Sequence, residues 1–248
     1  MIRIENLNLV FPGGTEPVIH GLDFHMKEGE FVTVLGRSGS GKSTLLDLIM
    51  GLISPTSGSI IRESSLTMGY VFQRPALLPW RTVLNNTSLP LQIEGVEKKE
   101  RNDKALIALR KVGLGYASSL YPFQLSGGMS QRVAIARALI QDPEILLMDE
   151  PFSSIDPLLR ENLNINLLKL WGKVKKTILF VTHSINEAVL LSDRILLLEG
   201  GCFQREFKID LPRPRTFDTP QSVQFLDYVK TIHGCLPCEP NKARELTF

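Results

Sequence analysis

Cysteine is scarce in this sequence: Cys202, Cys235 and Cys238 are the whole complement. A small odd number of thiols excludes a disulfide framework as the source of stability. Cys235-Leu-Pro-Cys238, with His233 just ahead, has metal or redox spacing. With no second half to complete a site, it reads first as an incidental pair in a C-terminal tail. Long hydrophobic runs are also missing, and none approaches the roughly 18 residues that cross a bilayer. The opening Met1-Ile2-Arg3-Ile4-Glu5 lacks the apolar core of a signal peptide, so the expectation is a cytoplasmic chain. Charge of one sign is lacking as well. Against 28 Lys and Arg stand 26 Asp and Glu, and a net +2 gives no argument for nucleic acid as a partner. There is no internal repeat and no low-complexity tract. What remains is 248 residues, 43% apolar and 22% charged, enough for one large domain or one domain with an inserted lobe.

The most informative stretch is Gly36-Arg37-Ser38-Gly39-Ser40-Gly41-Lys42-Ser43-Thr44. An apolar run, Phe31 to Leu35, precedes it and reads as a buried strand; Leu45 to Met50 follows and reads as a helix. Strand, glycine-rich loop and helix form the context of a phosphate-binding loop. The glycines permit tight turning and point backbone N–H groups inward, and the helix N-terminus adds partial positive charge. Lys42 would reach the β- and γ-phosphates of a nucleotide, with the Ser43 hydroxyl facing Mg²⁺.

Around this loop the pattern alternates. Residues 2–11 and Val18 to Phe24 are strand candidates, as are Ile60-Ile61 and Met68 to Phe72. From about residue 74, prolines punctuate a loop-rich segment holding Leu77, Leu78 and Trp80. Glu97 to Val112 has helical apolar spacing (Ala105, Leu106, Leu109, Val112), and Ser130 to Gln141 reads as a further helix. Together they suggest a helical lobe inserted at about 77–135. Ile145 to Glu150 is a buried strand ending in two acids, and Asp156-Pro157 opens a helix to about Trp171. Thr177 to His183 is a third buried strand, and Ser184-Ile185-Asn186-Glu187 has the form of a capping box. Ile195–Leu198 and Cys202-Phe203 suggest a closing hairpin around Gly200-Gly201. Beyond Leu211 comes a Pro- and Arg-rich tail with one short amphipathic helix, its apolar positions read as Val223, Leu226, Val229 and Ile232. The expected fold class is α/β: a P-loop NTPase core (mixed sheet with flanking helices), the inserted lobe, and an N-terminal antiparallel β subdomain. The expected division is a domain over 1–211 and a tail over 212–248.

In α/β sheets ligands bind at the carboxyl ends of the strands. That rule would gather Lys42, Gln73, Asp149, Glu150 and His183 around one phosphate. Asp149 suits a Mg²⁺ position through water, Glu150 could take a proton from an attacking water, and His183 could donate to the γ-phosphate. Gln73 could orient water or touch Mg²⁺. Leu125-Ser126-Gly127-Gly128-Met129-Ser130-Gln131-Arg132 is a second small-residue loop opening a helix, hence a second anion site. One chain then has two anion-binding loops for one nucleotide.

These motifs resemble those of the ATP-binding-cassette ATPases. LSGGMSQR at 125–132 looks like the family's signature, ILLMDEP at 145–151 its Walker B strand with catalytic glutamate, and Gln73 its glutamine loop. Ser153-Ser154-Ile155-Asp156 stands at the D-loop and His183 at the switch histidine. The usual D-loop, S-A-L-D, is altered mildly at Ser154 and Ile155. The resemblance implies ATP and Mg²⁺ as ligands and a head-to-tail homodimer, each ATP lying between one copy's phosphate loop and the other's Ser126-Gly127-Gly128. It also implies an aromatic residue stacking on adenine; Phe11 is the candidate, with a plain core position as its alternative.

Phe72-Gln73-Arg74-Pro75-Ala76-Leu77-Leu78-Pro79-Trp80-Arg81-Thr82-Val83, Met129 and Leu211-Pro-Arg-Pro-Arg215 resemble the nitrate/sulfonate/taurine importer subfamily. That implies separate transmembrane permease subunits docking near 74–92, an indirect link to a substrate-binding protein, and a peripheral place on the cytoplasmic face of the membrane. A lipid or lipoprotein exporter subunit and a regulatory module that does not turn over are the alternatives.

Overall fold

The computed structural model describes residues 1–63, 66–153, 155–174 and 176–236. Ser154 of the D-loop and Cys238 of the thiol pair lie outside the described residues. Strands β1 (Ile2–Leu9) and β2 (Ile19–Met26) lead into β3 (Phe31–Leu35) and helix α1 (Lys42–Met50). Strands β4 (Ser57–Arg62) and β5 (Met68–Val71) precede a helical run of α2 (Val83–Thr87), α3 (Leu89–Ile93), α4 (Lys98–Lys111) and α5 (Gly127–Leu139). Next come β6 (Ile145–Asp149), α6 (Pro157–Val174), β7 (Thr177–Thr182), α7 (Ile185–Leu191), β8 (Arg194–Glu199), β9 (Cys202–Lys208) and α8 (Val223–His233).

Two sheets result. β2-β1-β4 is a three-stranded antiparallel sheet, and β5-β6-β7-β3-β8-β9 is a six-stranded sheet, parallel except for β9. The central strands of the large sheet are apolar without a break because both of their faces are covered. Phe31, Leu146, Met148, Ile178, Phe180, Ile195 and Leu197 face a core shared with α5, α6, α7 and α8. Val32, Val34, Ile145, Leu147, Leu179, Val181, Leu196 and Leu198 face the other way, onto α1 and the small sheet. A third, smaller cluster joins Val83, Ala108, Leu109, Leu114, Ala117, Val133 and Ala136 and holds the helical insertion together.

Four local expectations need correction. The signature helix starts at Gly127, three residues before the expected Ser130, because the Ser126 hydroxyl accepts from Met129 N–H and caps it there. Strand β1 stops at Leu9 rather than running to residue 11. The 184–187 capping box is only half formed: Ser184 Oγ accepts from Glu187 N–H, but the Glu187 carboxylate turns to the Thr182 hydroxyl instead. On α8, Val223 and Leu226 are exposed; Phe225 and Ile232 are the buried residues, so the apolar face is rotated from the expected one.

The segment after Leu211 packs onto the large core through α8. Arg215, 5% exposed, donates to the carbonyls of Val189, Leu190, Ser192 and Leu211. Arg213 pairs with Asp193 at 2.7 Å and lies over the Trp171 ring. Among the described residues no helix is long and apolar enough to cross a membrane.

Candidate active site

Parallel strands put their carboxyl ends on one edge of the sheet. Gly36 follows β3, Glu150 follows β6, His183 follows β7, and Gln73 lies two residues past β5. The register sets Asp149 beside Val181 and Leu35 beside Thr182, which is how residues far apart in sequence become neighbours.

The 36–44 loop turns through two left-handed glycines, Gly39 (φ 81°) and Gly41 (φ 95°). At Gly36 a Cβ would stand 2.4 Å from the Leu198 carbonyl oxygen and 2.6 Å from Ser40 Oγ, so only glycine lets the loop leave the sheet here. Helix α1 has Gly41 as its N-cap, no capping side chain and no acid in its first turn. Its leading N–H groups have no partner within the helix, and the buried Ser40 hydroxyl has none either. That donor-rich helix start fits an anionic phosphate.

Glu150 sits between Lys42 and His183. Its Oε1 is 3.2 Å from Lys42 Nζ, and its Oε2 is 2.8 Å from His183 Nδ1. Lys42 is 5% exposed and also donates to the Arg37 carbonyl at 2.8 Å. Glu150 has φ 38°, a left-handed conformation that costs a non-glycine residue about 1–3 kcal/mol. The cost is offset by Glu150 N–H donating to the Val181 carbonyl and by Ser153, whose N–H and hydroxyl both donate to the Glu150 carbonyl. The left-handed kink aims the carboxylate out of the strand and toward the loop.

Asp149 accepts from the Ser43 hydroxyl at 3.0 Å. Burial pushes its carboxyl above the usual carboxylate range; the Ser43 hydrogen bond works against this, the Glu150 and Asp47 carboxylates add to it, and Lys42 partly offsets them. A hydroxyl and a raised carboxylate side by side are hard oxygen donors of the kind Mg²⁺ takes, and a bound cation would favour the ionised Asp149.

Gln73 is joined to the cluster indirectly: its Nε2 donates to Ser153 Oγ at 3.3 Å. Ser153 was not singled out in the sequence beyond its D-loop position, and no composition signal marks it; the bond appears only once β5 and β6 lie side by side. Phe11 stands on a turn, 45% exposed, so the core alternative for it does not hold. Ser126 and Gly127 are exposed at the start of α5, and Gly128 is buried, where a Cβ would stand 2.8 Å from Leu159 of α6. Among the described residues no hydrogen bond links 126–128 to 36–44. In the first loop Gly36, Gly41 and Lys42 are buried while Arg37 to Gly39 and Ser43 are exposed; in the second, Ser126 and Gly127 face outward.

The order of these elements matches the ABC transporter family over residues 19–153. The chain belongs to the ABC transporter family. It is an ATP-binding ATPase cassette. It is 44% identical to an uncharacterised ABC transporter ATP-binding protein of Methanocaldococcus jannaschii, over 98% of this chain and 93% of that protein. It is 41% identical to a nitrate import ATP-binding protein of Synechocystis sp., over 95% and 94% of the two chains. It is 42% identical to an aliphatic sulfonates import ATP-binding protein of Agrobacterium fabrum, over 87% and 78%. Among solved structures, it resembles an ATP-binding cassette captured as a post-hydrolysis dimer bound to ADP and Pi. The TM-score is 0.77 at 35% identity, covering 86% of this chain and 100% of that one. The α/β cassette fold and the importer-subfamily resemblance expected from the motifs are thereby borne out.

Proposed function

We propose that this ABC cassette hydrolyses ATP to drive uptake of a small molecule of the nitrate, sulfonate or taurine kind, or a vitamin precursor, through separate permease subunits. The observation that carries the hydrolytic part is the position of Glu150, held between Lys42 and His183 at the mouth of an uncapped helix N-terminus. Gly36, Arg37, Ser38, Gly39, Ser40, Gly41, Lys42, Ser43 and Thr44 cradle the phosphates. As phosphate enters, Lys42 exchanges Glu150 Oε1 for phosphate oxygens, which frees that carboxylate to take a proton from water. His183, still bonded to Oε2, holds the carboxylate in its left-handed setting and faces the γ-phosphate. Ser43, Asp149 and, through water, Gln73 would hold Mg²⁺, which when bound neutralises charge on the phosphates. Phe11, exposed on the turn after β1, is read as the adenine contact.

Ser126, Gly127 and Gly128 complete the site of a second copy arranged head to tail. The outward aspect of Ser126 and Gly127 supports this reading, as does the dimeric state of the similar solved cassette. Trp80, 72% exposed, supports docking of a permease segment near 74–92, while Leu77 packs against the cluster of the helical insertion. The cassette then spans 1–211, with its lobe at about 77–135, and works at the cytoplasmic face of a membrane without entering it. The import names of the relatives favour uptake over export.

The test is Glu150→Gln. ATP binding is retained, turnover drops by about 10²–10⁴-fold, as loss of a general base does, and an ATP-bound dimer accumulates in size-exclusion chromatography. Undiminished turnover would remove Glu150 as the base, and a wild-type chain without turnover would leave a regulatory module.

A further inference from the structure

Among the buried side-chain atoms of the described residues that lack a hydrogen-bond partner, Arg160 Nε, Asn164 Oδ1 and Glu187 Oε1 belong to residues that lie together. Asn164 is 4% exposed and Glu187 is 6% exposed. All three residues line one cavity of about 320 Å³, to which Pro220 and Phe225 of the tail also contribute. Arg160 Nε and Glu187 Oε1 stand 4.0 Å apart, too far for a direct hydrogen bond and right for one shared partner. Buried charges with unfilled hydrogen-bonding capacity are costly, so such an arrangement calls for a specific occupant or role.

The remaining bonds of these side chains run to opposite sides of the site. Arg160 Nη2 donates to the carbonyls of Ser153 and Ile155, gripping the D-loop from both flanks. Glu187 Oε2 accepts from the Thr182 hydroxyl at 2.5 Å. That hydroxyl in turn accepts from Ser184 N–H, so Glu187 fixes the two residues that bracket His183. Ser153 already holds the Glu150 carbonyl, and His183 holds its carboxylate. The chain of contacts therefore closes into a ring: D-loop, Arg160, Glu187, Thr182, His183, Glu150, and back to the D-loop.

We infer that Arg160 is a positioning residue for hydrolysis. It ties the D-loop to the His183 segment through Glu187 and a water seated between Arg160 Nε, Glu187 Oε1 and Asn164 Oδ1. Arg160 donates to that water, which donates to the two acceptors, and every unfilled valence is met. The tail, clamped by Arg215, lines one side of the junction through Pro220 and Phe225. A movement of the D-loop then reaches His183 without passing through the nucleotide. The inference rests on the hydrolytic reading above.

Steady-state ATPase kinetics on the full chain test it, with kcat normalised to sites that bind a fluorescent ATP analogue. For Arg160→Ala and Glu187→Gln, kcat falls about 10–100-fold, the cost of a small misplacement at the reacting centre, while KM for ATP stays within about twofold because the phosphate loop is untouched. The double variant is no slower than the worse single one, since both break one linkage. Arg160→Lys, which keeps the charge but loses the fork, recovers only part of the rate. Asn164→Leu, which keeps both charges and removes one acceptor of the water, gives a smaller loss and remains informative where Arg160→Ala does not fold. Site-normalised kcat unchanged in Glu187→Gln and Asn164→Leu, or single effects that multiply in the double variant, would overturn the inference while wild-type turnover leaves the hydrolytic reading standing. Absence of wild-type turnover would instead remove that reading first.

Discussion

The two glycine-rich loops of this chain are built from similar residues and behave in opposite ways. The loop at 36–44 leaves its helix uncapped and its lysine buried, with internal groups standing where phosphate belongs. The loop at 125–128 caps its own helix with Ser126 and shows its first two small residues to the outside. The first gathers a buried lysine and two acids of its own chain around its turn. The second has satisfied its backbone and offers a flat, small-residue face. The contrast teaches that glycine serves two purposes here: conformational reach in one loop, clearance for an approaching surface in the other.

The largest effect separates the loops by what each one binds. Ser126→Arg puts a long charged side chain on the outward face. ATP binding to the isolated monomer, measured by fluorescence titration, should stay within about twofold, whereas hydrolysis should fall by two or more orders of magnitude, as when a catalytic constellation is left incomplete. Normal hydrolysis in this variant would mean that the second loop serves no nucleotide.

Glycine replacement sharpens the same distinction through stability. Gly36→Ala drives a Cβ into the Leu198 carbonyl and the Ser40 hydroxyl. Overpacking of this kind costs about 1–3 kcal/mol, to be read as a lowered midpoint in urea. At Gly127 a Cβ would meet nothing within 4 Å, and alanine is the better helix former by about 0.5–1 kcal/mol. Gly127→Ala should therefore leave the monomer as stable or slightly more so, yet slow hydrolysis if a second copy packs on that face. A stable Gly36→Ala, or a destabilised Gly127→Ala, would erase the difference between the loops.

These tests also show where the sequence was sufficient and where it was not. The large sheet was legible because its strands are apolar on both faces, as Phe31-Val32-Thr33-Val34-Leu35 and Ile178 to Val181 are, and no other element of that length has that pattern. The phosphate loop was legible because glycine spacing and flanking strand and helix all agree. The start of the signature helix was not, since Gly127 and Gly128 are poor helix formers and the cap at Ser126 overrides them. The face of α8 was misjudged because Val223 and Leu226 have the right spacing; Phe225 takes the core by its size and by what α7 presents to it. The site was readable in its charged members and hidden in its supports. Ser153 meets Gln73 from 80 residues away, and Thr182 and Glu187 bond each other within five residues through side chains that no periodicity or charge pattern marks.

The tail offers a test of intermediate size. Arg215 satisfies four backbone carbonyls, three of them at the end of α7 and beyond it. Burial, helped by the Arg213 charge, pulls its guanidinium down to about 10, which still leaves it charged at neutral pH. Arg215→Ala removes a charged donor from buried acceptors, a loss of about 1.5–3 kcal/mol, visible as a lowered Tm of the nucleotide-free chain. The reduction should exceed that of Arg205→Ala, whose side chain is exposed.

The smallest effect probes the first loop from within. Burial and two neighbouring carboxylates raise the Asp149 carboxyl in the folded chain, so the folded state holds its proton to higher pH than the unfolded chain does. The sign follows: the protonated side chain favours folding at low pH, and that contribution is lost as pH rises through the folded value. Wherever it is ionised, the buried Asp149 is a liability in the nucleotide-free protein. Asp149→Asn keeps an acceptor for the Ser43 hydroxyl and removes the charge. It should raise the nucleotide-free Tm at pH 7, and the gain should shrink as the pH is lowered until wild type and variant melt together. With ATP and Mg²⁺ added the order should reverse, because wild type gains a ligand for the cation that the variant lacks. A variant less stable than wild type at pH 7 without nucleotide would show that the carboxylate is held for folding rather than kept in waiting for a cation.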